Sequence, residues 1–394
     1  MKLIPPAVIE SGLSAESPTY VYDLSRLREK CTRLNQLPIT RKRVFFATMA
    51  NDHPAILSCV RACGLGVFVN SMIHLSLVLK LGFQPRQVVY AASNMAPDEM
   101  DFCVQQGVNL VLDSFGQIQT LSKIVNGDLE IGLRLNVGSA LDRGEIKPDP
   151  AYRFGLLPHE LPDVVSFAQH HGLKITGAHS YFGTGLMKPS VLLDGMQRLG
   201  LAAGELPDLR YLDVGGGLGI PDDLDDPEFD IAEYSRGAEK IIRGHEQRLG
   251  RELELYIEPG RYLVADSGYF FVKVIDCKLR EDRAFIGTNG SVSIFPRPLL
   301  YPETAHHPCQ VITGNGQRPL HRKPVYVCGN STYSQDFLAR NITLSLPQPG
   351  DTLVFHHAGA YGRSMITQFL GKERPQEIVI ESAIENAVSS AIGL

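Results

Sequence analysis

Apolar positions along the chain fall into two textures. From about residue 40 to residue 264, short runs rich in Val, Ile, Leu, Phe and Tyr alternate with longer stretches whose apolar residues recur every three or four positions. The short runs are RVFFATM (43–49), GVFVN (66–70), QVVYAA (87–92), NLVLD (109–113), IGLRLNV (131–137), ITGAHSYF (175–182), LRYLDVG (209–215) and LELYIEP (253–259). Their length, β-branched and aromatic content and flanking turn residues predict strands. Between them, HPAILSCVRAC and MIHLSLVLKLG repeat near the helical period, and the second stops at Gly82. Strand and helix alternating eight times predict a (β/α)8 barrel over about residues 36–264.

Beyond about residue 265 the helical period disappears. YFFVKVIDCKL, RAFIGTNG, CQVITGNG, PVYVCGN and DTLVFHHAG are strand-like runs divided by Gly, Pro and Asn, and a helical pattern returns only in the last residues. This predicts an all-β domain of residues 265–394. TYVYDL (19–24) is one more strand ahead of the barrel, so residues 1–35 are assigned to the β domain.

Composition narrows the function classes. The 394 residues carry a net charge of −5 with no basic tract, which argues against nucleic acid as a partner. No apolar run reaches the roughly 18 residues a membrane helix needs. The opening MKLIPPAVIESGL is broken by Pro5, Pro6 and Glu10 and does not read as a signal peptide. Seven scattered cysteines are an odd set with no framework spacing, and they fit a reducing cytoplasm. No metal site is expected. Cys59 and Cys63 read as small core residues, and neighbours such as His306–His307 or His356–His357 would point to opposite faces of a strand.

Barrel sites lie at the C-terminal ends of the strands. There the chain places Met49 to Asn51, Arg134 and Asn136, His179, Tyr181 and Thr184, then DVGGGLG (213–219) and EPGR (258–261). A loop without side chains exposes backbone N–H groups, so Gly215, Gly216 and Gly217 after the seventh strand suit a phosphate. Glu258 ends an apolar strand, where a carboxylate can face a protonated ring nitrogen or an arginine.

Seven segments in order then resemble the fold-type III pyridoxal-phosphate decarboxylases of ornithine, diaminopimelate, arginine and related amino acids. They are TYVYDLSRLREK, FFATMAN, LDVGGGLGI, EPGRYLVADSGY, RPLLY, GNSTYSQDFL and AGAYGRSM. The resemblance implies an alanine racemase-like barrel with a C-terminal β domain, pyridoxal 5'-phosphate as cofactor, and an amino acid or its derivative as substrate. It implies cofactor contacts from Gly215, Gly216, Gly217, Thr184, Glu258, Gly260, Arg261 and Tyr361. Substrate-side or interface roles fall to Arg134, Arg297, Tyr301 and Asp336. It also implies a head-to-tail homodimer in which Thr332 and Tyr333 of one chain enter the other's barrel.

The departures from that pattern are concentrated at the catalytic positions. Met49 stands where the family has the lysine that links covalently to the cofactor. Tyr181 replaces the histidine that stacks on the pyridine ring, Thr332 replaces a proton-returning cysteine, and Tyr333 falls where some members have a substrate-binding acid. Phe68 replaces an aspartate, His74 stands near a usual glutamate, and His357 replaces a common acid. Lys80 and Lys123 lie in helical stretches, and Lys188 is the one lysine whose loop could approach the mouth. Three readings follow: an engineered near-isostere that traps a ligand in an otherwise intact enzyme, a silent relative that binds a ligand or partner, or a redirected enzyme using a non-covalently held cofactor or none. The replacements are aromatic or hydrogen-bonding, which favours a shaped pocket. A decarboxylase-like protein is the leading expectation, with a non-catalytic homologue as the alternative.

Overall fold

The computed structural model describes residues 4–16, 18–125, 127–140, 152–313 and 324–382. The helical pattern of the last residues lies outside this set. The chain divides into two compact units, Cys31–Pro221 with Pro227–Leu263, and Met1–Lys30 with Asp222–Asp226 and Val264–Leu394.

After helix α1 (Pro6–Ser14), strand β1 (Thr19–Asp23) and helix α2 (Leu24–Asn35), the first unit is a closed barrel of eight parallel strands. These are β2 (Lys42–Ala47), β3 (Gly66–Val69), β4 (Val88–Ala91), β5 (Asn109–Leu112), β6 (Leu129–Arg134), β7 (Leu173–His179), β8 (Tyr211–Asp213) and β9 (Glu254–Ile257). Inward residues fill the barrel: Phe45, Ala47, Val89, Ala91, Val111, Tyr211 and Tyr256 form one buried cluster. The rings of Tyr211 and Tyr256 stack at 4.2 Å. Tyr211 fits only because Gly177 faces it, since a Cβ there would lie 1.8 Å from the ring. The barrel is therefore a packed core, as in other parallel barrels.

The strands are shorter than the apolar runs that announced them. β2 ends at Ala47, and Thr48–Ala50 form a 3₁₀ turn. β7 stops at His179, although Phe182 beyond it is fully buried. Loop residues at the mouth are buried without pairing in the sheet, so hydrophobicity overstates strand length there.

The second unit is mostly sheet. β10 (Gly268–Leu279), β11 (Ala284–Thr288), β12 (Cys309–Ile312), β13 (Val325–Cys328), β14 (Phe337–Ile342) and β15 (Thr352–Phe355) run in the order β12-β15-β10-β11-β13-β14. β1 pairs antiparallel with β10 and parallel with β16 (Gln376–Ile380). The pattern reading passed over α1. Pro6 sits in its first turn, where a missing N–H costs nothing, and Val8 joins Val21, Phe271 and Val354 in the core of this unit. The barrel with a separate sheet domain is the expected alanine racemase-like architecture.

Candidate active site

Three strand ends bring a buried polar group together above the tyrosine plug. Arg134, His179 and Asp213 end β6, β7 and β8 and are aligned in register across the barrel wall. Glu258 follows β9 directly. His179 Nε2 lies 3.4 Å from Glu258 Oε2, and one ligand-type atom each from His179, Asp213 and Glu258 fall within 4.8 Å of one another. All three side chains are buried.

Burial dominates their electrostatics. It pushes the Glu258 carboxyl up to about 8, against the opposing effects of the adjacent Asp213 carboxyl and the charge of Arg134. It drives Asp213 well above the usual carboxylate range, helped by the nearby Glu258. It holds His179 down at about 4, so its ring is neutral near pH 7. Burial also lowers Arg134, whose guanidinium lies 4.5 Å over the Phe154 ring. This region can hold a proton or a cationic group at an orphaned carboxylate oxygen: Glu258 Oε1 is buried and receives no hydrogen bond. The same trio has donors of the kind that bind divalent cations.

Met49 lies in the 3₁₀ turn that caps β2. It is half-buried and packs on the apolar cluster that includes Phe68. Gly260 seats this turn, since a Cβ there would sit 3.1 Å from Ala50 Cβ. The flanking residues are polar. Thr48 Oγ1 donates to the Phe68 carbonyl at 3.1 Å and lies 3.0 Å from His74 Nδ1. His74 Nε2 faces Asp52 Oδ2 at 3.7 Å.

The glycine loop after β8 is tightly threaded. Gly215 and Gly217 have φ of +62° and +89°, a region that strains any residue with a Cβ. A Cβ on Gly216 or Gly217 would lie 2.5 Å from the carbonyl oxygens of Glu258 or Gly183. Among the described residues, the N–H groups of Gly216 and Gly217 donate to no protein acceptor. Beside the loop, Tyr181 Oη and Thr184 Oγ1 are 2.6 Å apart, with Tyr181 half-buried and Thr184 exposed. Arg261 begins the short helix Arg261–Val264. Lys188 is exposed at the start of the helix after β7.

The sheet unit carries the remaining expected residues. Asp336 is buried within its own fold, accepting from the Val292 N–H at 2.8 Å and from the Ser291 and Ser331 hydroxyls. Arg297 is buried, with Nη1 3.4 Å from His307 Nε2. Tyr301 and Thr332 are exposed, and Tyr333 packs edge-on against Phe369. Tyr361 takes a φ of +58°, a strained conformation for a residue with a Cβ. In the barrel unit, strand-end position singles out His179, and Asp213 at the head of DVGGGLG, while the family motifs assign neither a role in the site.

Residues 24–265 match the family model described as the pyridoxal-dependent decarboxylase, pyridoxal binding domain. The chain is 30% identical to the diaminopimelate decarboxylase of Methanothermobacter thermautotrophicus over 92% of its length and 86% of the relative's. It is 25% identical to that of Helicobacter pylori strain J99 over 93% and 91% of the two chains. The crystal structure of Helicobacter pylori diaminopimelate decarboxylase complexed with L-lysine superimposes with a TM-score of 0.85 at 23% identity, covering 95% of this chain and 94% of that one. Lysine/ornithine decarboxylase from Vibrio vulnificus, complexed with putrescine, gives 0.81 at 18% identity and covers 96% and 98%. The chain belongs to the pyridoxal-dependent decarboxylase family, and that membership implies pyridoxal 5'-phosphate as its cofactor.

Proposed function

We propose that the chain binds pyridoxal 5'-phosphate without a covalent anchor and acts on the α-amino group and carboxylate of an amino acid or a close derivative. The observation that carries this reading is the combination of Met49 with a glycine loop of unsatisfied N–H groups and a buried, orphaned Glu258 oxygen. Two kinds of group in the barrel fit the cofactor. The glycine loop offers unsatisfied N–H groups and no room for side chains, which suits a phosphate. The orphaned Glu258 oxygen suits a ring N–H. Met49 does not fit, because a thioether has no nucleophilic nitrogen and cannot form the link.

The cofactor, when bound, supplies an electron sink for the bond that breaks at the substrate's α-carbon. The protein's contribution in this reading is positional and electrostatic. Gly216 and Gly217 hold the phosphate. Glu258, buried beside Asp213 and His179, holds a proton at the ring nitrogen. Tyr181 and Phe68 offer aromatic walls, and the apolar cluster around Met49 excludes water from the floor of the cleft. Arg134 is a cation at the rim that suits a substrate carboxylate. The curated relatives make diaminopimelate the first substrate to try. In this proposal two chains pair head to tail, with Thr332 and Tyr333 offered to the partner's barrel.

A second reading is a ligand-binding relative without turnover. Met49 and Phe68 favour it, because both replace reactive or charged groups with apolar ones. One experiment separates the two. Titration with pyridoxal phosphate is expected to saturate in either case. Carbon dioxide release from diaminopimelate, lysine, ornithine and arginine then distinguishes an enzyme from a binder. Absence of saturable binding would overturn both.

A further inference from the structure

Asp213 and Glu258 end neighbouring strands and bring their carboxyl groups together inside the barrel. Asp213 is fully buried and Glu258 is 5% exposed. Asp213 Oδ1 accepts the Gly215 N–H at 3.0 Å. Its Oδ2 and Glu258 Oε1 are buried oxygens that accept no hydrogen bond among the described residues. Two ionised carboxylates so placed repel strongly in a medium of low dielectric. A single proton between them removes one charge and turns one acceptor into a donor, which satisfies both orphaned oxygens.

We propose that Asp213 and Glu258 share one proton with Asp213 as the donor, and that Asp213 is thereby the positioning residue that keeps Glu258 anionic toward a protonated ring nitrogen. The inference rests on the reading of the barrel as a pyridoxal-phosphate site. The surroundings assign the proton to Asp213. Arg134 favours the charged form of Glu258. The groups facing Asp213 are the neutral His179 and the hydroxyls of Tyr211, Tyr234 and Tyr256. Asp113 acts on the cluster from the His179 and Arg134 side. Among the described residues, no lysine or arginine is among the groups that act on Asp213. Backbone bonds tie the same pair to the phosphate loop. Gly215 gives its N–H to Asp213, and its carbonyl accepts the Glu258 N–H at 2.7 Å. Asp213 therefore holds both the ring-nitrogen acid and the first glycine of the loop.

Infrared spectroscopy of the purified protein tests the proton directly. At pH 7 the wild type should show the carbonyl stretch of a buried, protonated carboxylic acid. Asp213→Asn should lose it and Glu258→Gln should keep it. No such band in the wild type, or a band lost only in Glu258→Gln, overturns the assignment. A stoichiometric metal ion found in the protein by elemental analysis also overturns it. The consequence for the ring is read with pyridoxine 5'-phosphate, which lacks the aldehyde and whose absorbance reports ring protonation. Asp213→Asn keeps an oxygen for Gly215 and an N–H for Glu258, so its midpoint should match the wild type. Asp213→Ala removes a hydrogen bond to a charged acceptor, and its midpoint should fall by about one to two pH units. An unchanged midpoint in Asp213→Ala, or a fallen one in Asp213→Asn, rejects the positioning role. If pyridoxine phosphate binds none of the proteins, the cofactor reading fails, and the infrared band still decides who holds the proton.

Discussion

The ring of Phe68 stacks on that of His179, with centroids 6.0 Å apart and planes 15° from parallel. The pair joins an apolar strand end to the polar trio. It leaves His179 with a hydrocarbon face and a neutral ring, and it adds to the burial that holds this histidine down at about 4.

Replacing Phe68 with Asp should reverse that. A carboxylate beside the imidazole favours its charged form, so the His179 midpoint should rise by one unit or more in an NMR titration of the ring protons. Stability should fall by about 1–3 kcal/mol in urea, because the substitution also opens a cavity and buries a charge. An unmoved His179 resonance would show that Phe68 does not set its environment.

Glu258 and His179 make stability depend on pH in opposite senses. A carboxyl raised to about 8 binds its proton more tightly when folded. Its contribution is complete below the unfolded value near 4.5 and is lost as pH rises through 8. A histidine lowered to about 4 resists protonation when folded, so its contribution is present above pH 6.5 and is lost as pH falls toward 4. The two oppose each other in the acid range, and above pH 6.5 the coupled Asp213–Glu258 pair acts alone of these groups, since burial raises both carboxyls. The ligand-free protein should therefore lose stability between pH 6.5 and 8, as the proton held by the pair leaves. Glu258→Gln should flatten that slope in denaturant melts across the same range.

The fold was readable because eight apolar runs alternated with helical periods, a pattern that few architectures share. The sites were readable less evenly. The glycine loop and Glu258 are proposed as site groups from backbone and charge requirements that a motif preserves. His179 and Asp213 showed only as strand-end positions, because AHS and LDV otherwise look like ordinary strand. Only the closed barrel puts their side chains against Glu258. Asp336 matches a substrate-side or interface position by resemblance, and within the sheet unit it accepts from the Val292 N–H and the Ser291 and Ser331 hydroxyls. A motif records that an acid is needed and does not say which atoms it serves.

Gly216 offers a cleaner test of the phosphate loop than a charge insertion alone. A Cβ there would sit 2.5 Å from the Glu258 carbonyl, so even Gly216→Ala must move backbone on both sides. Affinity for pyridoxal phosphate should fall at least tenfold, about 1.4 kcal/mol, and Gly216→Asp should abolish binding. Equal affinity in the alanine variant would place the phosphate elsewhere.

Light scattering at micromolar concentration should report about twice the 43.4 kDa chain mass. The exposed Tyr301 and Phe369 lie on the sheet unit, and exposed aromatics of this kind anchor interfaces. Tyr333→Ala should weaken the dimer or lower substrate affinity without lowering the thermal midpoint by more than a few degrees. A monomeric wild type would remove Thr332 and Tyr333 from the site.

In the proposed reading, Met49 stands where the anchoring lysine would be, and that placement can be tested. The wild type should form no borohydride-reducible link with pyridoxal phosphate at position 49. Met49→Lys should create one, because the glycine loop and Glu258 would hold the aldehyde beside the new amine. The apolar cluster on which Met49 packs disfavours an ammonium ion, so the new lysine should react as the free amine at moderate pH. The link should return more readily than turnover. Tyr181 and Thr332 still replace groups with expected proton-transfer or stacking roles, and a positioned proton-transfer group is worth about 10²–10⁴-fold. The measurement is reduction, digestion and peptide mass mapping of both proteins, with carbon dioxide release followed in parallel. A reduced adduct on Lys188 of the wild type would make that exposed lysine the anchor and Met49 a bystander. Full turnover in Met49→Lys would mean that the other replacements cost little, and that the loss of one amine accounts for the departure.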